Sequence, residues 1–332
     1  MPTVAIDARD ARAPDPRGWG RYARELIGAL RRLPGVDLRE HAGGGPAPEL
    51  LWEQVSWPLR LARERPDVVH APNCFLPLRR PCPGVVTVHD LAFEVHGEDF
   101  SARTGWKYRT FTPRSVRSAE RVICVSAATA ADVAERYGAD PQRLRVVPNA
   151  PALAIGDAPL PSGAPYLLAV GDLRAKKNVG RLVDAWEALR GSGELPEHRL
   201  VLAGADVQGR GAGYAARGAE VTGYVDDATL DALMRGADLL VHPSLYEGFG
   251  LVLLEAMARG TPVAAARATA LPETGGDAAE WFDPLDTDDL AQAILRALRD
   301  RERLAAAGCE RAALYTWEAT AQATALVYRE TL

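Results

Sequence analysis

VHPSLYEGFGLVLLEAMARG, residues 241–260, carries the clearest local pattern of the chain. An apolar run stops at a Pro-Ser pair, a loop brings Glu247 directly before Gly248 and Gly250, and a second apolar run carries Glu255. This order predicts a buried strand, a tight ligand-facing loop and a helix whose first residues point at the loop. The glycines would let backbone N–H groups approach a ligand closely, and the helix start would favour an anion such as phosphate.

Short apolar runs alternate with helical patterns on both sides of this stretch. Before a Pro/Gly/Ala-rich segment at 149–165, strands are predicted at 3–7, 36–41, 67–70, 84–88, 121–125 and 144–147. The helices predicted between them lie at 22–33, at 50–64 with an interruption at Pro58, at 101–118 with a break at Pro113, and from an N-cap at Ser126 to 137.

After the segment, strands are predicted at 166–170, 199–204, 219–222, 238–242, 261–266 and 279–282, and helices at 179–189, 228–235, 251–259, 286–300, 301–309 and 317–332. Continuous apolar strands that alternate with helices indicate parallel sheets covered on both faces. Two such sets joined by a linker predict an α/β protein of two Rossmann-like domains facing a cleft. Ligands then bind outside the carboxyl ends of the strands.

Composition excludes several classes of protein. The chain has 332 residues and a net charge of −5, which argues against a nucleic-acid binder, and no apolar run reaches the ~20 residues of a membrane span. The N-terminus lacks a signal-peptide pattern, so the four cysteines are expected to be free thiols in the cytoplasm. Residues 1–158 sum to +3 and the rest to −8, which leaves room for an anionic acceptor or a membrane surface at the first half, although scatter explains it equally well.

Two adjacent lysines follow the strand predicted at 166–170. The chain has three lysines among 39 basic residues, and Lys176 and Lys177 stand together in GDLRAKKNVGRL, residues 171–182. In a chain that otherwise uses arginine, two compact point charges at the carboxyl end of a strand indicate a diphosphate site. A charged surface loop is the alternative, but cations before a helix N-terminus oppose the helix dipole unless an anion is present.

The remaining polar candidates allow two interpretations each. Glu247 and Glu255 could accept hydrogen bonds from vicinal hydroxyls of a ribose or hexose, or be a solvated loop residue and a helical residue. His89, after the strand at 84–88, is either functional or a satisfied structural histidine. Gly18 and Gly20 precede a helix that could face an anion. The glycine spacing of the run 209–218 is similar to a dinucleotide-binding fingerprint, but no strand leads directly into it. We therefore predict a flexible loop there.

Together these motifs resemble the GT-B fold glycosyltransferases of family 4, the retaining nucleotide-sugar transferases. Residues 243–263, PSLYEGFGLVLLEAMARGTPV, are similar to the family's two-glutamate E-x7-E motif, and residues 170–178, VGDLRAKKN, to its diphosphate loop. IDAR with GWGRY resembles the N-terminal glycine loop, and VTVHDL the His-Asp strand end. The resemblance implies a deep interdomain cleft, an acceptor-binding domain of residues 1–158 with a C-terminal helix 316–332 that crosses back to it, and a donor-binding domain of residues 159–315.

The resemblance also implies roles for single residues. Lys177 and Lys176 would bind the donor diphosphate and stabilise the departing charge, and Glu255 would hold the ribose hydroxyls. Glu247 would position the sugar and its diphosphate together with the backbone of Gly248, Phe249, Gly250 and Leu251. His89 would hydrogen-bond the sugar, and Gly18 and Gly20 would close on the phosphate. The nucleobase would lie near Gly204, Gly223, Tyr224 and Val225.

The implied reaction moves a hexose, with mannose favoured, from a nucleoside-diphosphate sugar to a hydroxyl acceptor with retention of configuration. GDP-mannose is the favoured donor and a UDP-sugar the second; no cofactor or metal is expected, because the lysines and a helix dipole would stabilise the diphosphate. The acceptor, a glycan, a lipid-linked sugar or a small molecule, would bind around residues 9–20 and 91–110. The expected location is cytoplasmic, with peripheral membrane association open.

Two other functions remain at this point. A nucleotide-sugar epimerase on the same architecture would not need the pair Glu247 and Glu255. A catalytically silent nucleotide-sugar-binding homologue would have no chemical reason to keep Glu247, Lys177 and His89 together.

Overall fold

A computed structural model of the chain describes residues 1–13, 18–43 and 48–332; Arg17, in the predicted glycine turn, lies outside these ranges. The chain divides into two compact units. The first consists of Met1–Ala152 with Tyr315–Leu332, and the second of Leu153–Leu314. Residues 153–158, assigned above to the N-terminal domain, fall in the second unit because their backbone is hydrogen-bonded to its side chains.

The strands are β1 (Thr3–Asp7), β2 (Asp37–His41), β3 (Val68–Ala71), β4 (Gly84–Val88), β5 (Arg121–Cys124), β6 (Leu144–Val146), β7 (Tyr166–Val170), β8 (Arg199–Ala203), β9 (Glu220–Gly223), β10 (Leu239–His242), β11 (Val263–Ala266) and β12 (Glu280–Phe282). The α-helices are α1 (Trp19–Arg32), α2 (Glu49–Leu51), α3 (Trp57–Glu64), α4 (Ala92–Val95), α5 (Ala102–Ser118), α6 (Ala127–Tyr137), α7 (Val179–Gly191), α8 (Gly211–Ala216), α9 (Asp227–Gly236), α10 (Leu251–Met257), α11 (Leu271–Gly275), α12 (Thr287–Arg299), α13 (Arg301–Ala313) and α14 (Trp317–Arg329).

Each unit contains one parallel sheet of six strands. The strand order is β2-β1-β3-β4-β5-β6 in the first and β12-β11-β10-β7-β8-β9 in the second. In the second sheet the chain runs outward from β7 through β8 and β9, then returns to β10 on the other side of β7. The carboxyl ends of β7 and β10 therefore form the topological switch point, where open α/β sheets bind ligands. These sheets confirm the two predicted Rossmann-like domains.

The C-terminal helix α14 packs on the first unit, as the resemblance implied. Its Ala321, Ala325 and Tyr328 belong to one buried cluster with Leu26 and Leu30 of α1. The Tyr328 hydroxyl lies 2.7 Å from His70 Nδ1, and His70 Nε2 lies 2.8 Å from Thr87 Oγ1. A buried polar chain thus ties the last helix to β3 and β4, and each of its members is hydrogen-bonded.

The helical stretch predicted at 50–64 is interrupted next to Pro58, which is the second residue of α3. A π-helical turn at Trp52–Ser56 directly precedes α3. The break predicted at Pro113 was wrong. Pro113 lies inside α5, which continues to Ser118 without a break.

The run at 209–218 is not the predicted loop, because it contains α8. The carboxylate of Asp206 accepts hydrogen bonds from the N–H groups of Arg210 and Gly211 at 2.8 and 2.9 Å and so caps this helix. The short helices α4 and α11 were also missed. The cysteines are free thiols, as expected, and no helix among the described residues combines the length and apolarity that a membrane crossing requires.

We expect the His70→Gln variant to lose less stability than the wild type when the pH is lowered. Burial, with the neighbouring His89 charge, lowers the pKa of His70 to about 3, whereas the unfolded residue titrates near 6.5. Between these values the unfolded chain binds the extra proton, so the free energy of unfolding falls as pH drops from about 6.5 towards 3, by about 2 kcal/mol at pH ~5 for this residue.

The measurement is the urea-unfolding free energy at pH ~7.5 and ~5 for the wild type and the variant. The pH-dependent difference should shrink in His70→Gln by about 2 kcal/mol. An identical pH dependence in both proteins would contradict the assignment.

Candidate active site

The loop after β7 brings both predicted lysines to the switch point. Gly171 has φ = 134°, a conformation that side chains rarely adopt, and a Cβ there would lie 3.1 Å from Lys177 Cε. The glycine therefore lets the lysine stem lie against the strand end. A 3-10 turn, Ala175–Lys177, presents the two lysines, and the backbone oxygen of Lys176 accepts from Leu245 N–H at 2.8 Å, which joins this loop to the one after β10.

The loop after β10 carries Glu247 and is fixed by two threonines. Thr269 Oγ1 accepts from the Glu247 N–H at 2.9 Å and donates to its carbonyl at 2.8 Å. The Thr274 hydroxyl donates to the carbonyl of Phe249. Gly250 has φ = 94°, and a Cβ there would lie 2.7 Å from Leu271 Cδ2, so only glycine fits before α10.

The side chains of the two loops meet at Glu247. Lys177 Nζ lies 2.5 Å from Oε1 of Glu247, and Lys176 Nζ lies 4.0 Å from Oε2. Burial raises the pKa of the Glu247 carboxyl, but the charges of Lys177 and Lys176 outweigh it and hold that pKa well below its usual range. The carboxylate is therefore ionised at neutral pH, and the three groups together carry one positive charge.

His242, the last residue of β10, completes this cluster and was missed as a site residue. Its Nε2 lies 3.1 Å from Glu247 Oε1 and 3.2 Å from Ser244 Oγ. Burial lowers the pKa of His242, and the hydrogen bond to Glu247, which raises this pKa, offsets only part of the effect. The ring is therefore neutral at pH 7 and donates from Nε2 to the carboxylate. Its sequence signal, a histidine at the end of an apolar strand, is the one that singled out His89.

Glu255 lies on α10 and is 4% exposed. Its Oε1 accepts a hydrogen bond from the backbone N–H of Leu153 at 3.2 Å. The second glutamate of the motif thus contacts the start of the second unit, a contact that sequence spacing did not predict.

The residues expected near the nucleobase lie along the same edge of the second sheet. Gly204 N–H donates to the Gly223 carbonyl at 2.9 Å, and a Cβ on Gly204 would lie 2.0 Å from the Gly171 carbonyl oxygen. Gly204 is therefore required where β8 passes the lysine loop. Tyr224 is 43% exposed beside them, followed by Val225.

The predicted residues of the first unit form a separate group. Trp19 stacks on His89 with ring centroids 5.5 Å apart, so the turn of Gly18 and Gly20 lies beside this histidine. Burial lowers the pKa of His89 to about 4, and its Nε2 donates to the Pro72 carbonyl at 2.8 Å. The neutral ring keeps Nδ1 as a hydrogen-bond acceptor.

A small pocket opens beside the cluster of the second unit, lined by Ala169, Val170, Gly171, Leu173, Lys177, Val179, Leu202, His242, Pro243 and Ser244. Cations at the mouth of such a pocket suit an anionic ligand, and the ionised Glu247 suits the hydroxyls of a sugar. Within the described ranges no three His, Cys, Asp or Glu side chains are grouped so that they could hold a metal ion.

Comparison with known families matches both halves of the chain. The family described as Glycosyltransferase Family 4 matches residues 16–151, and Glycosyl transferases group 1 matches residues 164–300.

Among curated relatives, the O-antigen chain mannosyltransferase B of Escherichia coli is 29% identical over 82% of this chain and 76% of its own length. The MMP alpha-(1->4)-mannosyltransferase of Mycolicibacterium hassiacum is 29% identical over 90% and 79%. The glycogen synthase of Mycobacterium tuberculosis is 30% identical over 80% and 69%.

Solved structures share the fold. The sucrose-phosphate synthase of Thermosynechococcus elongatus aligns with a TM-score of 0.77 at 24% identity, over 99% of both chains. Anabaena HepE in complex with UDP and glucose aligns with a TM-score of 0.70 at 18% identity, over 99% of this chain and 100% of its own. The chain therefore belongs to family 4 of the GT-B fold glycosyltransferases and is a glycosyltransferase.

Proposed function

We propose that this glycosyltransferase moves a hexose, with mannose favoured, from a nucleoside-diphosphate sugar to a hydroxyl acceptor, with retention of anomeric configuration and without a metal ion. The observation that carries the proposal is the cluster of Lys177, Lys176 and Glu247 at the switch point of the second sheet. It combines two cations for a diphosphate with a carboxylate for sugar hydroxyls.

The lysines would act most strongly when the sugar–phosphate bond breaks. The leaving diphosphate gains negative charge in the transition state, and a cation held in place beforehand stabilises that charge without reorganisation. Lys177, freed from Glu247 as the carboxylate turns to the sugar, would then bind the diphosphate. This division of labour would account for one carboxylate and two ammonium groups sharing a partly buried site.

The remaining roles follow the family resemblance. Glu255 would accept from the ribose hydroxyls, and His89, through Nδ1, from a hydroxyl of the transferred sugar. Mannose is supported by the two mannosyltransferases among the relatives, and the nucleoside diphosphate by a neighbour whose structure contains UDP. GDP-mannose is the first donor to test and a UDP-sugar the second.

A donor panel tests the reaction itself. The protein is incubated with GDP-mannose, UDP-glucose and related donors, together with a set of hydroxyl acceptors, and free nucleoside diphosphate is measured. We expect release with GDP-mannose to exceed that with the other donors, and NMR of the product to show the anomeric configuration of the donor. Inverted product would exclude retention; recovery of epimerised donor would exclude the transferase reaction for that donor.

Lys177→Ala should lower the turnover number by about 10²- to 10³-fold, because it removes a pre-placed charge from the leaving diphosphate. Glu247 keeps Lys176 and His242 as neighbours, so the fold should persist, which thermal unfolding checks. Arg303→Ala, which removes an exposed cation of α13 that pairs with Asp300, is the matched control and should retain full turnover. Near-normal turnover by Lys177→Ala would rule out its diphosphate role.

Chelation tests the metal-free proposal. Because the lysines supply the positive charge at the diphosphate, an excess of EDTA should change the transfer rate by less than about twofold. Activity that disappears with EDTA and returns with added Mg²⁺ or Mn²⁺ would show that a metal takes part.

A further inference from the structure

Residues 153–158 open the second unit as a segment, here named the strap, that side chains fasten to α9 and α10. Leu153 N–H donates to Glu255 Oε1 at 3.2 Å, and Gly156 N–H donates to Asp231 Oδ2 at 3.2 Å. Arg235 donates to the Ala158 carbonyl at 2.7 Å. The strap has no helix or strand of its own, so these contacts decide where its backbone lies.

Arg259 holds the same peptide that contacts Glu255. Its guanidinium donates to the carbonyls of Leu153 and Ala154 at 2.9 and 2.8 Å, and to the backbone carbonyl of Glu255 at 2.7 Å. Leu153 is thus held at both ends, its N–H by the Glu255 carboxylate and its carbonyl by Arg259. Because Glu255 and Arg259 are four residues apart, both contacts come from one short piece of backbone.

A buried counter-charge fixes Arg259 in turn. The side chains of Arg259 and Asp231 are 0% and 1% exposed, and Arg259 Nε lies 2.8 Å from Asp231 Oδ1. Asp231 Oδ2 accepts from Arg235 at 2.8 Å. A planar guanidinium with five N–H donors can serve Asp231, Glu255 and the strap at once, whereas the single nitrogen of a lysine cannot.

We propose that Arg259 and the Leu153 peptide are positioning residues that orient the Glu255 carboxylate for the donor ribose. The proposal rests on the proposed function, in which Glu255 accepts from the ribose hydroxyls. A glutamate side chain loses rotamer freedom when it binds a ligand, and a rigid N–H on Oε1 removes that loss beforehand. It also fixes the directions in which the carboxylate accepts hydrogen bonds, as partners behind a binding residue generally do.

If the strap had only a structural role, it would stabilise the fold without affecting how the protein recognises ribose. The test therefore measures the preference for ribonucleotides over nucleotides that lack the ribose hydroxyls. Calorimetry gives the Kd of UDP and GDP and of their 2′,3′-dideoxy analogues. We expect the wild type to favour the tighter-bound ribonucleotide over its dideoxy form by about tenfold or more, the strength of hydrogen bonds to a charged group. The ratio of the two Kd values, dideoxy form to ribonucleotide, should fall to about threefold or less in Arg259→Lys, with the Kd of the dideoxy form unchanged.

Leu153→Pro provides an independent variant, because it removes the N–H that contacts Glu255. Leu153→Ala, which also loses the leucine side chain but keeps the N–H, is its matched control. Arg217→Lys, at an exposed ion pair with Asp184, is the control for the arginine change. We expect Leu153→Pro to lose the preference for the ribonucleotide over its dideoxy form and both controls to keep it. Thermal unfolding shows which variants are folded.

The outcomes separate the two proposals. A wild type that binds no nucleoside diphosphate contradicts the proposed function. Unchanged discrimination in Glu255→Gln contradicts the ribose role of that residue. Discrimination lost in Glu255→Gln but kept in folded Arg259→Lys or Leu153→Pro overturns the positioning inference alone, as does an equal loss of affinity for both nucleotides.

Discussion

The ion pair between Lys177 and Glu247 joins the two loops that form the candidate site of the second unit. Two residues that are 70 positions apart in sequence meet there, and each charge offsets the other in a partly buried place. Lys176 and the neutral His242 complete the balance, which leaves one positive charge at the edge of the sheet. A site with an excess positive charge attracts anions. The Glu247 carboxylate in the same site can accept hydrogen bonds from hydroxyl groups.

Backbone geometry makes this meeting possible. A parallel sheet brings the carboxyl ends of all its strands to one edge, and the strand order makes β7 and β10 neighbours there. Gly171 and Gly204 remove the side chains that would otherwise separate the lysine loop from the strand ends. Thr269 then fixes the backbone of Glu247 from the loop after β11. The geometry of the candidate site is thus supported by several elements outside the cluster of Lys177, Lys176 and Glu247.

The strap shows a similar arrangement around the second glutamate. Glu255 is fixed by a peptide whose other end is held by Arg259, and Arg259 is fixed by Asp231. Two guanidinium groups, those of Arg235 and Arg259, compensate the buried carboxylate of Asp231. In the first unit, the candidate site residue His89 is held instead by aromatic rings and by one backbone carbonyl.

Sequence patterns were enough to predict the two Rossmann-like units, the order of their strands along the chain and the loops that carry Lys176, Lys177, Glu247 and His89. Apolar periodicity and glycine spacing are local properties, and they suffice for these features. Sequence patterns could not predict α8, whose cap comes from Asp206, nor the role of His242, nor the strap on Glu255. These depend on hydrogen bonds between residues whose proximity, or whose backbone conformation, exists only in the folded chain. Leu153 and Glu255, for example, are 102 residues apart in sequence and share a hydrogen bond only because folding brings them together.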